Sequence, residues 1–284
     1  MKLVSYDDNR FGAILGEEVV DLTDQFGDVL GYLRSGAQPR LDGPRRLPLA
    51  SVALRAPVPR PPKILCMAGN YADHWREAGL SAPPRDNFAP QMFVKPVTTV
   101  VGPDEPIRLP GPICTHVDYE GELAAVIGRP GFRIPASRAL DHVAAYANFN
   151  DVSGRKLTVE TPRPDNPRTA FFDWLNGKWF DTFGPLGPWL VTADEVPDPQ
   201  ALAIQTRVNG EVRQKASTAD MIFSLAETIE WISQFLTLEP GDLIATGTPS
   251  GVGSTTGTFL RPGDVVEVEV EGLGILRNPV VAAV

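Results

Sequence analysis

The sequence predicts a β-rich α+β fold, and three observations lead to that prediction. Short apolar or alternating segments recur beyond residue 60, among them "KILCMAG", "YEGELAAVIG" and "DVVEVEVEGLGILRNPV". The 26 glycines and 28 prolines are dispersed without a period, which indicates many turns between short strands. Repeated strand–helix–strand units are missing from the pattern, and this disfavours a Rossmann sheet or a TIM barrel.

The first 58 residues are predicted to form a small α/β domain of their own. "KLVSY" and "RFGAILG" indicate a hairpin, "EEVVDLT" a third strand, and "DQFGDVLGYLRSG" a short helix that ends at Gly36. A passage rich in proline and arginine follows, and it suits neither regular element. We therefore place a boundary near residue 60 and assign residues 59–284 to a second, larger domain.

Two helices are predicted in the second domain. In "STADMIFSLAETIEWISQFLTLEPG", apolar residues from Met221 to Leu236 form one stripe, with Ser217 or Thr218 as the N-cap. The segment "PASRALDHVAAYANFN" is predicted as a second helix, over residues 136–150.

The composition excludes several kinds of partner and site. Lysine and arginine number 26 against 35 acidic residues, and no basic block stands out, so nucleic acid is not an expected partner. Cys66 and Cys114 fit neither a disulfide framework nor a zinc site, and we expect two small buried thiols. No apolar run approaches the roughly 18 residues of a membrane span. The expectation is a cytoplasmic protein without a membrane partner.

The familiar catalytic signatures are missing. Neither a phosphate-binding loop nor G-x-G-x-x-G occurs, and "GTPSGVGSTTG" lacks the third glycine at the required spacing. The nucleophile elbow G-x-S-x-G is absent too. Ser153 and Lys156 have the spacing of a Ser–Lys pair, but that spacing is expected by chance in many chains of this length.

An unusual group of acids remains, in "THVDYEGELAAVIG". Asp118, Glu120 and Glu122 are two residues apart, so strand geometry puts them on one face, beside a continuous apolar run. Buried without a partner, they would repel one another at high cost. With Asp151 from "FNDVSGR", Glu120 and Glu122 can form a three-carboxylate site for Mg²⁺ or Mn²⁺. The alternative is a solvated polar strand edge; His116, on the same face, is an extra ligand candidate or a structural residue.

A second candidate feature is "GNYADHWREAGL". His74 and Glu77 are three residues apart and therefore neighbours on a helical face. A carboxylate beside an imidazole fixes its tautomer and raises its basicity, which prepares it to activate water. Such a pair is also common as ordinary surface polarity, so the spacing alone leaves both interpretations open.

Together these segments resemble the fumarylacetoacetate hydrolase family, in its bacterial form with a small N-terminal domain. The matching segments run in family order from about residue 60: "KILCMAGNYADHWREAG", "MFVKP", "VDYEGELAAVIG", "FNDVSGR", "GKWFDTFGPLGPWL", "VNGEVRQ", "PGDLIATGTPSGVG" and "LRPGDVVEVEVEGLGILRN". The resemblance implies a mixed β-sandwich roll, a homodimer, and Mg²⁺ or Mn²⁺ at Glu120, Glu122 and Asp151, with Ca²⁺ as a further candidate.

The resemblance also implies roles for further residues. His74 and Glu77 match a catalytic pair on a segment that closes over substrate, and Lys178 matches the active-site lysine. The positions that match substrate-binding or pocket residues are Thr248, Arg155, Lys95 and Tyr71. This chain departs from the family at "SGRKLT", where a substrate-facing glutamine is missing near Thr158. The long segment between Asp151 and Lys178 is expected to lie near the pocket and to shape specificity.

These parts predict an enzyme acting on a small oxo acid. The preferred hypothesis is hydrolysis of a C–C bond in a 2,4-dioxo acid, such as an acylpyruvate or a diketo-deoxy sugar acid, by water activated at His74 and Glu77. One alternative is decarboxylation of an oxaloacetate-like β-keto acid, which needs no attacking water. Another is a family member without catalytic activity.

Overall fold

The computed structural model describes residues 1–43 and 45–283, and in them the strands form three β-sheets. The strands are β1 Lys2–Tyr6, β2 Arg10–Leu15, β3 Glu18–Asp21, β4 Arg46–Pro48, β5 Leu54–Arg55, β6 Ile64–Ala68, β7 Gln91–Val94, β8 Val100–Val101, β9 Ile107–Arg108, β10 Val117–Asp118, β11 Gly121–Ile127, β12 Val143–Asn150, β13 Ser153–Gly154, β14 Gly184–Thr192, β15 Ala203–Val208, β16 Glu211–Ser217, β17 Leu243–Ala245, β18 Val265–Val270 and β19 Ile275–Val281. The helices are α1 Thr23–Phe26, α2 Val29–Ser35, α3 Ala72–Glu77, α4 Ala136–Ala139, α5 Pro167–Asn176, α6 Leu225–Ile232 and α7 Gly253–Thr256.

The largest sheet has twelve strands and includes strands from both sides of the predicted domain boundary near residue 60. Its order is β4–β3–β2–β1–β14–β12–β11–β17–β6–β7, with β5 beside β1 and β8 beside β14. A five-stranded sheet has the order β16–β15–β18–β19–β9, and β10 pairs with β13 alone. The short helices and mixed sheets confirm the predicted β-rich α+β class. None of the helices in the described residues has the length and apolarity that crossing a bilayer requires.

The N-terminal strands form as predicted, and they extend the large sheet. β1 pairs antiparallel with β2 on one side and with β14 on the other, at Lys2 opposite Val191 and Leu3 opposite Leu190. The single helix predicted before Gly36 is two short helices, because Gly27 with φ 76° ends α1. The predicted end is correct, since Gly36 has φ 60°. Independent folding of the first 58 residues stays a prediction.

The helix predicted over residues 136–150 is wrong in its second half. α4 has four residues, a 3₁₀ turn follows, and Val143–Asn150 is the strand β12. This strand lies between β11 and β14 in the large sheet, and almost all of its side chains are buried. Pairing on both edges outweighs the helix propensity of its alanines.

The other predicted helix starts later than its apolar stripe indicates. Ser217 caps a separate 3₁₀ turn, and α6 begins after Ser224. The reason is a capping box, in which the Ser224 hydroxyl accepts from the Glu227 N–H and the Glu227 carboxylate accepts from the Ser224 N–H at 2.9 Å. Met221 lies outside the helix and bridges to Tyr71.

The core surrounds β11 on both faces, which explains its continuous apolar run. Leu123, Ala125 and Ile127 belong to the cluster that contains Ile229 and Ile232 of α6. The alternate residues Ala124 and Val126 pack in the cluster that holds the N-terminal strands. A strand buried on both faces has no polar side, and each large apolar side chain buried there contributes about 1.5–3 kcal/mol.

Candidate active site

Strand register brings the predicted metal-binding acids together. In the antiparallel pair β11–β12, Gly121 lies opposite Asn150, so Glu120 and Asp151 are the next residues at the same end. The Asp151 N–H donates to the Glu120 carbonyl at 2.9 Å, and the Asn150 amide oxygen accepts from the Glu120 N–H at 3.0 Å. Asp151 therefore reaches the site from the end of a strand and not, as the sequence suggested, from a helix.

Glu120, Glu122 and Asp151 form a buried group, called here the acid cluster. One oxygen from each lies within 4.8 Å of the others. Asp118 is also buried but is not a member of this group. His116 is not a member either; its ring stacks edge-on against Phe259 at 4.7 Å between centroids.

Three cations contact the acid cluster: the buried Lys178 and Lys95 and the partly buried Arg155. The Lys178 Nζ donates to Glu120 Oε2 at 2.7 Å and to Asp151 Oδ2 at 2.6 Å, while the Lys95 Nζ donates to Asp151 Oδ1 at 2.5 Å. The Arg155 Nη2 donates to Glu120 Oε1 at 2.5 Å. Burial alone would raise the pKa of Glu120, but Lys178 and Arg155 hold it well below its usual range. Burial opposes the charge on Lys178, yet Asp151 and Glu120 raise its pKa to about 12.

In the part of the chain that the structure describes, no lysine or arginine forms an ion pair with Glu122. Its Oε2 accepts from the Gly247 N–H at 2.8 Å, and its Oε1 has no hydrogen-bond partner in the described residues. Burial, followed by repulsion from Asp151 and Glu120, raises the pKa of Glu122 well above its usual range. With Glu122 ionised, the acid cluster and Asp118 would carry four carboxylates against three cations, one negative charge in excess.

The acid cluster has the properties that a hard divalent cation requires. Its donors are carboxylate oxygens, the Glu122 Oε1 has no hydrogen-bond partner within the described ranges, and with Glu122 ionised the acids outnumber the neighbouring cations by one. Mg²⁺, Mn²⁺ and Ca²⁺ all prefer such oxygen ligands. The acid cluster could thus hold a divalent metal ion, and binding would relieve the repulsion that Glu122 experiences.

His74 and Glu77 form the predicted pair, called here the dyad. The His74 Nδ1 lies 2.6 Å from Glu77 Oε1 on α3. Glu77 Oε2 accepts from the Gly251 N–H at 2.7 Å and from the Thr255 hydroxyl at 2.8 Å. Burial would raise the pKa of Glu77, but the bonds from His74, Gly251 and Thr255 lower it overall. The carboxylate is therefore fixed on both oxygens and orients the imidazole.

His74 of the dyad and Glu120 of the acid cluster line one cavity of about 320 Å³. Its polar side is lined by His74, Glu120, Arg155, Lys178 and Thr248. Its other side, called here the apolar wall, includes Leu80, Phe93, Phe171 and Trp174. Phe171 and Trp174 come from α5, so the long segment before Lys178 lies at the pocket, as the sequence predicts.

The other predicted substrate contacts have different positions. Thr248 lines the cavity, whereas Lys95 and Tyr71 do not; Lys95 lies behind Asp151, and the hydroxyl of the buried Tyr71 has no hydrogen-bond partner among residues 1–43 and 45–283. Thr158 is exposed and outside the cavity. For Lys95 and Tyr71, a role toward substrate stays a prediction; Thr158 only marks the place where the family's glutamine is missing.

Sequence reasoning missed Gln214, which holds Thr248 in place. The Gln214 Nε2 donates to the Thr248 hydroxyl at 2.8 Å, and its Oε1 accepts from the Gly121 N–H at 3.0 Å. Gly121 itself must be glycine, because a Cβ there would lie 2.0 Å from the Thr206 hydroxyl. The only signal was the segment "VNGEVRQ", which suggested no role for its glutamine.

Comparison with known proteins agrees with this geometry. Residues 63–281 match the family model described as fumarylacetoacetate (FAA) hydrolase C-terminal. The bovine mitochondrial protein named oxaloacetate tautomerase FAHD2A is 43% identical over 277 residues, which cover 97% of this chain and 83% of the relative.

Two solved structures are also similar. The fumarylacetoacetate hydrolase of Exiguobacterium antarcticum is 35% identical, with a TM-score of 0.85 and 99% coverage of both chains. The maleylpyruvate hydrolase of Sphingobium sp. SYK-6, solved with manganese(II) and pyruvate, is 31% identical, with a TM-score of 0.80 and 100% coverage of both. By sequence, by fold and by the acids that its strands bring together, the chain belongs to the fumarylacetoacetate hydrolase family.

Proposed function

We propose that the protein is a divalent-metal-dependent enzyme that catalyses keto–enol tautomerisation of oxaloacetate or a closely related 2-oxo acid. The observation that carries the proposal is that His74 of the dyad and Glu120 of the acid cluster line one small cavity. The reaction requires one group that exchanges a proton at carbon 3 and a positive environment for the enolate. The name of the bovine relative supports oxaloacetate as the substrate.

The residues of the cavity suit the steps of this reaction. A divalent ion at the acid cluster would supply Lewis acidity at the 2-oxo group. Because the Nδ1 of His74 is bound to Glu77, its Nε2 is the atom that takes the proton from the enol hydroxyl and delivers it to carbon 3, or carries it the opposite way when the keto form reacts. Lys178 contributes positive charge beside the enolate, and Arg155 and Thr248 are placed to contact a substrate carboxylate.

Hydrolysis of a 2,4-dioxo acid, which the sequence favours, is the second candidate. A specific observation supports it: the apolar wall offers a surface for an uncharged acyl group beyond the chelating oxygens. In this reaction His74 would take a proton from water, which then attacks the distal carbonyl. The Sphingobium maleylpyruvate hydrolase is a relative whose name describes a hydrolase.

The test is to supply the Mn²⁺-loaded protein with enol oxaloacetate, an acylpyruvate and a diketo-deoxy sugar acid in parallel. Tautomerisation predicts loss of the enol absorbance of oxaloacetate with no CO₂ and no released carboxylic acid. Release of a carboxylic acid from the dioxo acids, without oxaloacetate turnover, would replace the proposal by hydrolysis. Release of CO₂ as the main product would replace it by decarboxylation.

Variants of two histidines show whether the dyad takes part. His74→Ala is expected to abolish tautomerisation and hydrolysis but to leave much of any decarboxylation, which needs no base. The control is His142→Ala, an exposed imidazole bound to the Arg129 carbonyl and outside the cavity. Full tautomerase activity in His74→Ala would exclude the dyad as the proton carrier.

A further inference from the structure

Asp118 has no place in the acid cluster, yet its carboxylate is fully used. The residue is buried, with no exposed surface. Its Oδ1 accepts from the N–H groups of Tyr119 at 2.8 Å and Gly253 at 2.6 Å. Its Oδ2 accepts from the Ser254 N–H at 2.9 Å and from the Arg155 Nε at 2.8 Å. A buried carboxylate with four donors is fixed in position and has little freedom to bind anything else.

The loop that Asp118 holds is also the loop that holds the dyad. This loop, residues 251–255, donates the Gly251 N–H and the Thr255 hydroxyl to Glu77 Oε2. The N–H groups of Gly253 and Ser254, between those two donors, point to Asp118. The loop is therefore bound by Asp118 on one side and by Glu77 on the other. If its contacts with Asp118 were lost, the Gly251 and Thr255 donors that fix Glu77 would move as well.

Asp118 reaches the acid cluster as well, through one side chain. Arg155 binds Asp118 with its Nε and Glu120 with its Nη2. While Asp118 holds the Nε, Arg155 binds Glu120 through its Nη2 alone. Removal of the Asp118 charge would leave Glu120 as the main anionic partner of Arg155, and Arg155 would then compete more strongly with a metal ion for Glu120.

We propose that Asp118 is a positioning residue that links the two halves of the site. Through the 251–255 loop it seats Glu77 and hence orients His74, and through Arg155 it sets how freely Glu120 can bind a metal ion. The inference rests on the proposed roles of the dyad and of the acid cluster, and it assigns to Asp118 no contact with substrate.

The test combines Mn²⁺ binding with a double-mutant cycle. Asp118→Asn is expected to weaken Mn²⁺ affinity, measured by calorimetry, by about tenfold to a hundredfold, the usual effect of losing an outer partner of a metal ligand. It should also lower kcat with a smaller change in KM. In the double variant with Glu77→Gln, kcat should lie within about threefold of that of Glu77→Gln alone, because both changes act through one loop.

The matched control is Asp242→Asn. Asp242 is equally buried, accepts a backbone N–H from Glu239 at 2.7 Å and pairs with Lys63 at 3.0 Å, but it does not line the cavity. Its variant should keep wild-type Mn²⁺ affinity and kcat. If Asp118→Asn does not fold, Ser254→Pro removes one of the donors to Asp118 at a helix start that tolerates proline. The double variant of Ser254→Pro with Glu77→Gln should then also have a kcat within about threefold of that of Glu77→Gln alone.

Three results would overturn the proposal: unchanged Mn²⁺ affinity in Asp118→Asn, a double variant whose losses simply multiply, or wild-type kcat in Ser254→Pro. Failure of the proposed function is a different outcome. If none of the oxo acids is turned over, the proposed reaction is wrong, while the calorimetric comparison of Asp118→Asn with Asp242→Asn still decides the role of Asp118.

Discussion

Lys178 shows how one side chain stabilises a group of buried acids. Its ammonium lies between Glu120 and Asp151 and also over the rings of Phe93 and Trp174, at 5.1 and 5.7 Å from their centroids. A cation in this position compensates the negative charge of the two acids even when no metal ion is bound. A bound divalent ion would take over part of that compensation and free the lysine for a developing enolate.

We predict that Lys178→Met makes the metal-free protein less stable and its stability more dependent on metal. Removing one partner of a buried ion pair costs about 3–5 kcal/mol, because the other charge stays buried. Thermal unfolding with and without Mn²⁺ measures both effects. The control is Lys63→Met, which also removes a lysine between two acids but lies outside the cavity. If Mn²⁺ raised the unfolding temperature of wild type and of Lys178→Met by the same amount, the prediction would be contradicted.

At the scale of single elements, the capping box of α6 has a pH-dependent effect on stability. Burial would raise the pKa of Glu227, but hydrogen bonds from the Ser224 hydroxyl and N–H, with the Arg85 charge, lower it below its usual value of 4.5. A lowered folded-state pKa stabilises the fold above the unfolded value, and this contribution is lost as the pH falls through the folded value.

Glu227→Gln is therefore expected to destabilise the protein near neutral pH by about 1 kcal/mol, with a difference that shrinks below pH 4.5. Urea unfolding at a series of pH values measures the difference from wild type. Glu17→Gln, a change at an exposed glutamate in a turn, serves as the control and should show no such trend. If the difference in unfolding free energy between wild type and Glu227→Gln grew as the pH fell, the stabilisation by this cap would not depend on the charge of Glu227.

The helix α5 gives the cavity its apolar wall. Trp174 packs against Phe93 at 5.0 Å between ring centroids and lines the cavity, whereas Phe172 on the same helix is exposed and does not. We predict that Trp174→Ala raises KM for an acylpyruvate about tenfold and leaves KM for oxaloacetate nearly unchanged, because only the first has an apolar group to bury. Phe172→Ala should change neither value. Equal effects on both substrates would show that the wall does not select between them.

Elements also show where sequence reasoning succeeds and where it stops. Glu120, Glu122 and Asp151 could be brought together because unpaired acids beside an apolar strand require a countercharge. The strand β12 could not be predicted, because "HVAAYANFN" is rich in alanine and only its pairing with β11 and β14 decides its conformation. Likewise, no local pattern places Lys95 behind Asp151 or Gln214 beside Thr248, since these contacts join residues 56 and 34 positions apart.

At the scale of the whole molecule, the pairing of β1 with β14 joins the first 58 residues to the sheet of the larger domain. Phe11, Val20 and Leu33 lie in the same core cluster as Ala124 and Val126 of the strand that follows Glu120. We predict that a shortened chain starting at residue 59 exposes this core and loses cooperative unfolding, which calorimetry and dye binding detect. Cooperative unfolding at the wild-type temperature would show instead that the first 58 residues are an independent domain.

The homodimer implied by the family resemblance stays a prediction, as does the cytoplasmic location. A sedimentation measurement on the 30.8 kDa chain checks the first, and a mass near twice that value is the expected result. A concentration-independent mass of a single chain would contradict it.

The positions of the acid cluster and of the apolar wall have an evolutionary consequence. The acids are held by the backbone pairing of two central strands, whereas half of the wall comes from α5, a helix outside every sheet. Mutation in that helix can therefore remodel substrate preference while the apparatus for bond chemistry is inherited intact. Such modularity suits a family whose members carry the names of a tautomerase and of hydrolases on one scaffold.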